Sequence, residues 1–322
     1  MKKFRKWVLA AIFVCILPVM NGCGEGIPIV SDGKVSQGYS EAQNMLIVAT
    51  ERNRYEEVYT DQIWQVQIDD EGNTFQKYLL NEVQKFLKEL KMTNLLADEY
   101  GISLTGQDQD RLGELTDRFY ESMTEEDKEY TGAGREDVYT MYEAYHRANL
   151  LIDEVTKDTN LEISDSEARV ITIQEICLGD RDTAIAVHEQ VNGEKADFLA
   201  IAKQMSEDSL IEKSIGRGER PSSYEEEVFL LETGEISPVV ESENAFYIVK
   251  CINDFDENAT LERKEKLALQ RKNQAFRAVY EAFEAEHAVE IGGVFWNKME
   301  FGEEASTTTE FFEMYQEMMQ QQ

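Results

Sequence analysis

The 322-residue sequence sets 32 Lys and Arg against 64 Asp and Glu, a formal net charge of −32. A surface of that sign repels phosphate, which argues against nucleic acid as a partner, and it favours solubility outside a cell or, in a sharper reading, basic clients. Apolar residues make up 42% of the chain, enough for packed cores, and the length suggests two domains.

Lys2, Lys3, Arg5 and Lys6 precede an apolar run from Trp7 to Met20, which is followed by Asn21-Gly22-Cys23. A positive start, a short apolar core and a small residue before the cut describe a secretory signal over residues 1–22, too short for a spanning helix. Cys23 after Gly22 resembles the lipobox of bacterial lipoproteins, although Met20 and Asn21 depart from its usual Leu and Ala or Ser. The resemblance implies that Cys23 is lipidated, becomes the mature N-terminus and holds the chain on the extracytoplasmic face of the cell membrane. An ordinary secreted protein cut nearby is the alternative. Loss of residues 1–22 leaves 28 Lys and Arg against 64 Asp and Glu, a charge of −36. No later apolar run is long enough to span a bilayer.

Residues 23–43 read as the lipidated cysteine and a Gly/Ser/Asp-rich flexible tether. Ile63 to Ile68 alternate as in a short strand, or Trp64 packs in a helical corner. Phe75, Leu79, Val83, Phe86, Leu90 and Leu95 recur at helical spacing between Thr74 and Tyr100, and Gly101 supplies a stop. Leu112, Leu115, Phe119 and Met123 predict a second helix, and Val138, Met141, Tyr145, Ala148, Ile152 and Val155 a third. Ser164-Asp165-Ser166-Glu167 has the spacing of a capping box.

From Ala168 to Asp254 the pattern changes. A β-rich run, Val170 to Leu178, leads into helical runs from Thr183 and around Ala196-Asp197-Phe198 to Ser206-Glu207-Asp208. Gly216-Arg217-Gly218-Glu219 reads as a turn. An acidic helix near Tyr224 to Leu231, Thr233-Gly234-Glu235-Ile236-Ser237-Pro238, and a second β-run from Ala245 to Cys251 complete a compact α+β module. Leu261 to His287 then reads as a long charged helix with Leu269, Phe276, Val279, Tyr280 and Phe283 as its stripe. Val289-Glu290-Ile291 and Phe295-Trp296 suggest a short strand or corner, and residues 302–322 a polar tail that frays.

Ala196-Asp197-Phe198 with Ala202-Lys203 and Ser206-x-Asp208, Phe229-x-Leu231-x-x-Gly234-Glu235-Ile236-Ser237, and Tyr247-Ile248-Val249-Lys250 stand in an order that resembles the parvulin (PpiC, rotamase) family of peptidyl-prolyl cis-trans isomerases. The motifs cover about a quarter of the chain. Helices on both sides of the module are similar in layout to the PrsA and SurA type of extracytoplasmic foldase. The implied fold is α+β: a parvulin-like module at 168–254, a small antiparallel sheet with helices, inserted in a mainly α-helical chaperone domain built from 44–160 and 260–301.

The resemblance also implies a site. Parvulins lower the barrier to X-Pro rotation, about 20 kcal/mol uncatalysed, with two facing histidines, a Cys or Asp, a Ser or Thr, and an apolar slot for the proline ring. Here the histidine positions hold Glu175 and Tyr247, the Cys/Asp position Asp208 and the Ser/Thr position Ser242. The slot positions hold Arg220, Tyr224 and Ile215. The chain's three histidines, His146, His188 and His287, all lie elsewhere. Arg220 in an apolar slot costs desolvation unless paired, and Glu175 is a candidate partner. The bland reading makes Tyr247 a core residue, Glu175 and Arg220 a solvated pair, and Asp208 a turn or cap. The substitutions favour weak or absent isomerase activity. The reading calls for no cofactor and no metal, since no Cys/His spacing fits one. If Glu175 faces Tyr247, Cys177 and Cys251 lie at opposite ends of the strand pair, beyond disulfide reach, as two buried free thiols.

As partners the resemblance implies unfolded or newly exported polypeptides, and the membrane through the N-terminal lipid; a homodimer stays open. The expected function is a membrane-anchored foldase. The alternatives are a non-catalytic peptide-binding chaperone and an envelope assembly lipoprotein.

Overall fold

A computed structural model describes residues 34–301 and 309–319 of the chain. The signal segment 1–22 and Cys23 lie outside the described residues. The chain divides into two units, one formed by residues up to Asp158 and from Asn273 onward, the other by Thr159–Lys272.

The first unit opens with strand β1 (Lys34–Gln37) and helix α1 (Glu41–Glu56), so the expected tether does not extend to residue 43. Ser40 starts α1 with a reciprocal cap: its hydroxyl accepts from the Gln43 amide while the Gln43 side chain accepts from the Ser40 amide. Leu46, Ile47, Val48, Ala49, Thr50, Glu51 and Arg52 are all buried. A helix buried on every side carries no apolar stripe, which hides it from periodicity. A 3-10 turn (Asp61–Gln65) buries Trp64, whose indole donates to Glu56 at 2.7 Å, so this segment is a helical corner rather than a strand.

Helices α2 (Phe75–Glu99), α3 (Gly106–Ser122), α4 (Glu125–Thr131) and α5 (Arg135–Thr156) follow. Thr74, Thr105 and Thr124 cap the first three through their hydroxyls. Gly101, at φ 66°, takes the left-handed turn after α2 that a side chain would disfavour. Leu87, Leu90, Leu115, Phe119, Met141 and Tyr142 fill the shared core.

The second unit holds α6 (Asp165–Ala168), β2 (Val170–Leu178), α7 (Arg181–Val191), α8 (Phe198–Met205), β3 (Glu212–Gly216), α9 (Ser222–Val228), β4 (Val240–Ser242), β5 (Ala245–Asn253) and the start of α10 (Glu257–Glu284). Its four strands run in the order β3-β2-β5-β4, every pair antiparallel. One sheet face packs Ile176, Leu178 and Ile248 against Val187, Phe198 and Ala202. The other packs Ile171, Ile173, Val249 and Cys251 against Tyr224, Val228 and Phe229.

Two expectations are corrected in this unit. Glu175 pairs with Val249, and Tyr247 pairs with Cys177, so Tyr247 sits two residues from the expected register. Cys251 lies opposite Ile173, four positions along β2 from Cys177; both thiols are free, and Cys177 is only half-buried. The opening of α10 also joins this unit, not the helical one expected from residue 260. The Val170 amide donates to Thr260 at 3.1 Å, Arg263 donates to the Arg217 carbonyl at 2.7 Å, and Lys264 and Arg271 reach Asp165 and Glu167, each at 2.5 Å.

The chain then returns to the first unit with β6 (His287–Glu290), which pairs in parallel with β1, then α11 (Gly293–Lys298) and α12 (Phe311–Met319). Phe276, Tyr280 and Phe283, from the later part of α10, enter its core. The expected polar tail is corrected by α12, which buries Phe311, Phe312, Tyr315 and Met319 and stacks Phe311 on Tyr142 at 4.0 Å. The chain is α+β: a small antiparallel sheet with helices, set between two segments of a mainly helical unit. Among the described residues no helix is long and apolar enough to cross a membrane.

Candidate active site

Successive residues of a strand face opposite sides of a sheet, so β2 turns Glu175 toward the same side as Ile171 and Ile173. That side is the apolar one that buries Tyr224 and Val228, and Glu175 is 2% exposed there. An ion in such a place costs several kcal/mol unless it is paired and hydrogen-bonded. Three groups meet it. The Lys213 ammonium lies 2.9 Å from Oε1, the Tyr224 hydroxyl donates to Oε2, and Arg220 stands 3.5 Å from Oε2.

Each partner is placed by its element. Antiparallel pairing of β3 with β2 sets Lys213 opposite Ile173, next to Glu175 along the strand. Lys213 also reaches Asp208 at 3.0 Å, and Asp208 in turn accepts from the Leu210 amide at 2.9 Å. The turn after β3 is held by Glu225 of α9, which accepts from the Gly218 amide at 2.7 Å and the Arg220 amide at 3.0 Å. Gly218, at φ 89°, makes that turn sterically easy.

Arg220 then folds back over two rings. Its guanidinium carbon is 4.6 Å from the Tyr224 centroid and 5.3 Å from that of Tyr247, and the rings meet edge-on at 5.3 Å. Tyr247, half-buried, lies opposite Cys177 across the strand pair. Ser242 is buried and accepts from Ser223, the neighbour of Tyr224, at 3.0 Å. Ile215 packs in the apolar core with Ile171 and Tyr224. Glu175, Asp208, Arg220, Tyr224 and Tyr247 are thus brought together, Ser242 joins through Ser223, and Ile215 lies in the supporting core.

Sequence reasoning missed Lys213, the residue that links the two carboxylates. The sequence held only a partial signal for it: Lys213 shares alternation with the apolar Ile215, which puts it on the core side without naming its partner.

The electrostatics follow from the packing. Burial works against the Lys213 ammonium, but hydrogen bonds to Glu175 and Asp208 outweigh it and hold its pKa above the ordinary lysine value. The Leu210 amide, then Lys213, hold Asp208 below the usual carboxylate value. Burial, with the Glu175 charge second, pushes the Tyr224 hydroxyl well up. Burial likewise raises the Cys177 thiol. Lys213 therefore stays charged, Asp208 ionised, and Tyr224 and Cys177 protonated at neutral pH. These are the states of a closed ion-pair cluster rather than of an activated nucleophile or a poised base.

Residues 180–253 match the rotamase family, described as the PPIC-type peptidyl-prolyl isomerase domain. The match takes in Asp208, Ile215, Arg220, Tyr224, Ser242 and Tyr247, and it begins just after the strand that carries Glu175. The chain carries a parvulin-type rotamase domain. The chain is similar to foldase proteins: it is 24% identical over 281 residues to the foldase protein PrsA of Caldanaerobacter subterraneus subsp. tengcongensis, covering 80% of this chain and 84% of that one. The foldase protein PrsA 3 of Bacillus anthracis is 26% identical over 215 residues, covering 60% of this chain and 73% of that one. A crystal structure of PrsA from Bacillus cereus, 19% identical, aligns at a TM-score of 0.36 over 80% of this chain and 99% of that one.

Proposed function

We propose that this protein is an extracytoplasmic foldase-type chaperone, anchored by lipid at Cys23, that holds newly exported polypeptides and whose rotamase domain is largely disarmed. The observation that carries this reading is the Arg220 guanidinium, lying over the Tyr224 and Tyr247 rings and 3.5 Å from Glu175. An entering proline ring has to displace Arg220 from both rings, and doing so strips a cation from a buried carboxylate. Neither histidine position holds an imidazole, so the facing pair that the family pattern uses is replaced by a carboxylate and a phenol that share Arg220 as a neighbour.

A protease-coupled assay of cis-to-trans conversion in a prolyl peptide, run beside a client-aggregation assay, tests the reading. Suppressed aggregation with isomerisation far below that of a histidine-bearing parvulin supports it. The combined Glu175→His, Tyr247→His and Arg220→Met variant is expected to gain isomerase activity, with single changes doing little because diagonal neighbours on one sheet face act together. High activity in the unaltered protein, unmoved by Asp208→Ala, overturns it. For the anchor, Cys23→Ala is expected to release the chain from the membrane fraction or leave it uncleaved. Normal processing with retained lipid label would refute that part.

A further inference from the structure

The first unit contains an apolar cavity of about 90 Å³ between α1, α2 and α12, walled by Ile47, Leu79, Val83 and Phe312. The volume falls below the roughly 150 Å³ that accommodates benzene, so it suits an aliphatic side chain such as Leu, Ile or Met rather than an aromatic ring. Three carboxylates, Glu51, Glu82 and Glu89, also line it, against one arginine, Arg54. Each carboxylate has a cation nearby: Arg54 at 2.5 Å from Glu51, Lys85 at 2.8 Å from Glu82, Arg277 at 3.1 Å from Glu89. Burial nevertheless leaves Glu51 and Glu89 above their usual pKa despite those partners. Glu313 and Glu284 add their charges beside Glu51 and Glu89, so these five carboxylates stand against three cations.

Exposed apolar side chains stand near this cavity. Tyr55 and Tyr78 line the cavity, and both rings meet Phe75, at 5.1 and 5.8 Å. The Phe75 amide donates to the Val66 carbonyl at 2.8 Å, and the Tyr59 amide to Tyr55 at 2.8 Å. Tyr78, which lines the cavity, is 43% exposed, and Tyr59 and Val66, joined to this ring cluster through their backbones, are 54% and 51% exposed. Large apolar side chains left in the open beside a cavity mark an interaction surface.

We infer that this surface and cavity form a docking site for an extended segment of unfolded polypeptide that seats an aliphatic side chain in the cavity and sets a flanking Lys or Arg beside the carboxylates. The occupant is assigned by charge: three acidic lining residues, on a chain of net charge −32, favour a basic neighbour and reject an acidic one. The inference rests on the chaperone reading and names the kind of segment that reading holds.

The probe is a short fluorescein-labelled Gly/Ser peptide in which each leucine is flanked by lysines, with a glutamate-flanked counterpart, titrated by anisotropy against the full chain. The lysine peptide is expected to bind roughly ten-fold more tightly, with the gap narrowing as salt is added. Tyr78→Ser, on an exposed position, is expected to weaken the lysine peptide roughly five-fold or more while circular dichroism and melting stay unchanged. Glu82→Lys is expected to narrow the preference between the two peptides. Equal affinity for both peptides, or no effect of Tyr78→Ser in a folded protein, overturns the site. So does a surface that mediates only self-association, read as a concentration-dependent dimer abolished by Tyr78→Ser without peptide binding. The aggregation assay separates the two readings. Suppression untouched by Tyr78→Ser removes this site and leaves the chaperone reading standing; selective peptide binding without any suppression does the reverse.

Discussion

Glu175 sets the energetics of the rotamase domain because it is a charge that the sheet cannot put in water. Lys213 is its nearest cation, at 2.9 Å, and is itself mostly buried. Lys213→Met removes that cation but keeps the side chain's bulk, leaving Glu175 with Arg220 at 3.5 Å and the Tyr224 hydroxyl. We expect a loss of about 2–4 kcal/mol in urea denaturation. Adding Glu175→Gln to it is expected to recover much of that loss, since the uncompensated charge goes too. Asp208→Ala is expected to cost far less, because Asp208 is exposed enough for water to screen its ion pair. The same cluster gives an alkaline signature. Lys213 and Tyr224 both titrate above their ordinary values of 10.5 and 10.0, so the folded state holds these protons more tightly than the unfolded chain. Their stabilising contribution is complete below about pH 10 and is lost as the pH rises through the folded values. Melting curves taken upward from pH 9 are expected to fall less steeply for Lys213→Met than for the unaltered protein; parallel curves would show that Lys213 is not linked to folding. Asp208, held low, acts in the opposite sense, its small share persisting above 3.8 and fading in acid. Resemblance to the parvulin pattern made most of this cluster legible in the sequence, since Glu175, Asp208, Arg220, Tyr224 and Tyr247 do gather. Lys213 and the Tyr247 register escaped, because both depend on which residues two strands bring opposite each other, and no single strand's pattern encodes that.

At the level of elements, the turn after β3 is pinned from outside the sheet. Arg263, in the first turns of α10, bonds Glu219 and the Arg217 carbonyl, and its guanidinium lies where a Cβ on Gly216 would stand. Gly216→Ala is expected to displace Arg263 and cost about 1–2 kcal/mol through the lost charged hydrogen bonds. Arg263→Ala is expected to cost a similar amount. The double variant should cost little more than either single one, because each change removes the same contact; fully additive losses would show that Gly216 matters for another reason. Helices α2, α3 and α5 were legible from their stripes because each buries one face. Helix α1 was hidden by burial on all sides. The helix α12 did carry a signal, Phe311, Phe312, Tyr315 and Met319 at helical spacing, but a run of Glu, Ser, Thr and Gln around it masked that pattern.

On the scale of the whole molecule, the boundary of the rotamase unit decides what is needed for it to fold. Motif order alone suggested 168–254, the span from one core strand to the other. The contacts draw a wider line, Thr159–Lys272. Beyond residue 254 the chain satisfies groups that the sheet leaves open: Asp256 donates its amide to the Val170 carbonyl at 2.9 Å, and the buried Thr260 hydroxyl accepts from the Val170 amide at 3.1 Å. Without them, both main-chain groups of the first residue of β2 lose these partners, at about 1–3 kcal/mol for each one left buried and unpaired. Arg263 adds its clamp on the turn, and Arg271 donates to the Glu162 carbonyl at 2.8 Å as well as pairing with Glu167, which ties the chain ahead of α6 to the same helix. A fragment of residues 159–272 is therefore expected to unfold cooperatively and to be more stable than residues 168–254 by several kcal/mol, read from paired urea titrations with circular dichroism. Within the longer fragment, Thr260→Val is expected to remove about 1–2 kcal/mol of the difference, because it keeps the shape but deletes the hydroxyl that receives the Val170 amide. Equal stability of the two fragments would mean that the sheet and its own helices suffice, and that α10 joins the unit without supporting it.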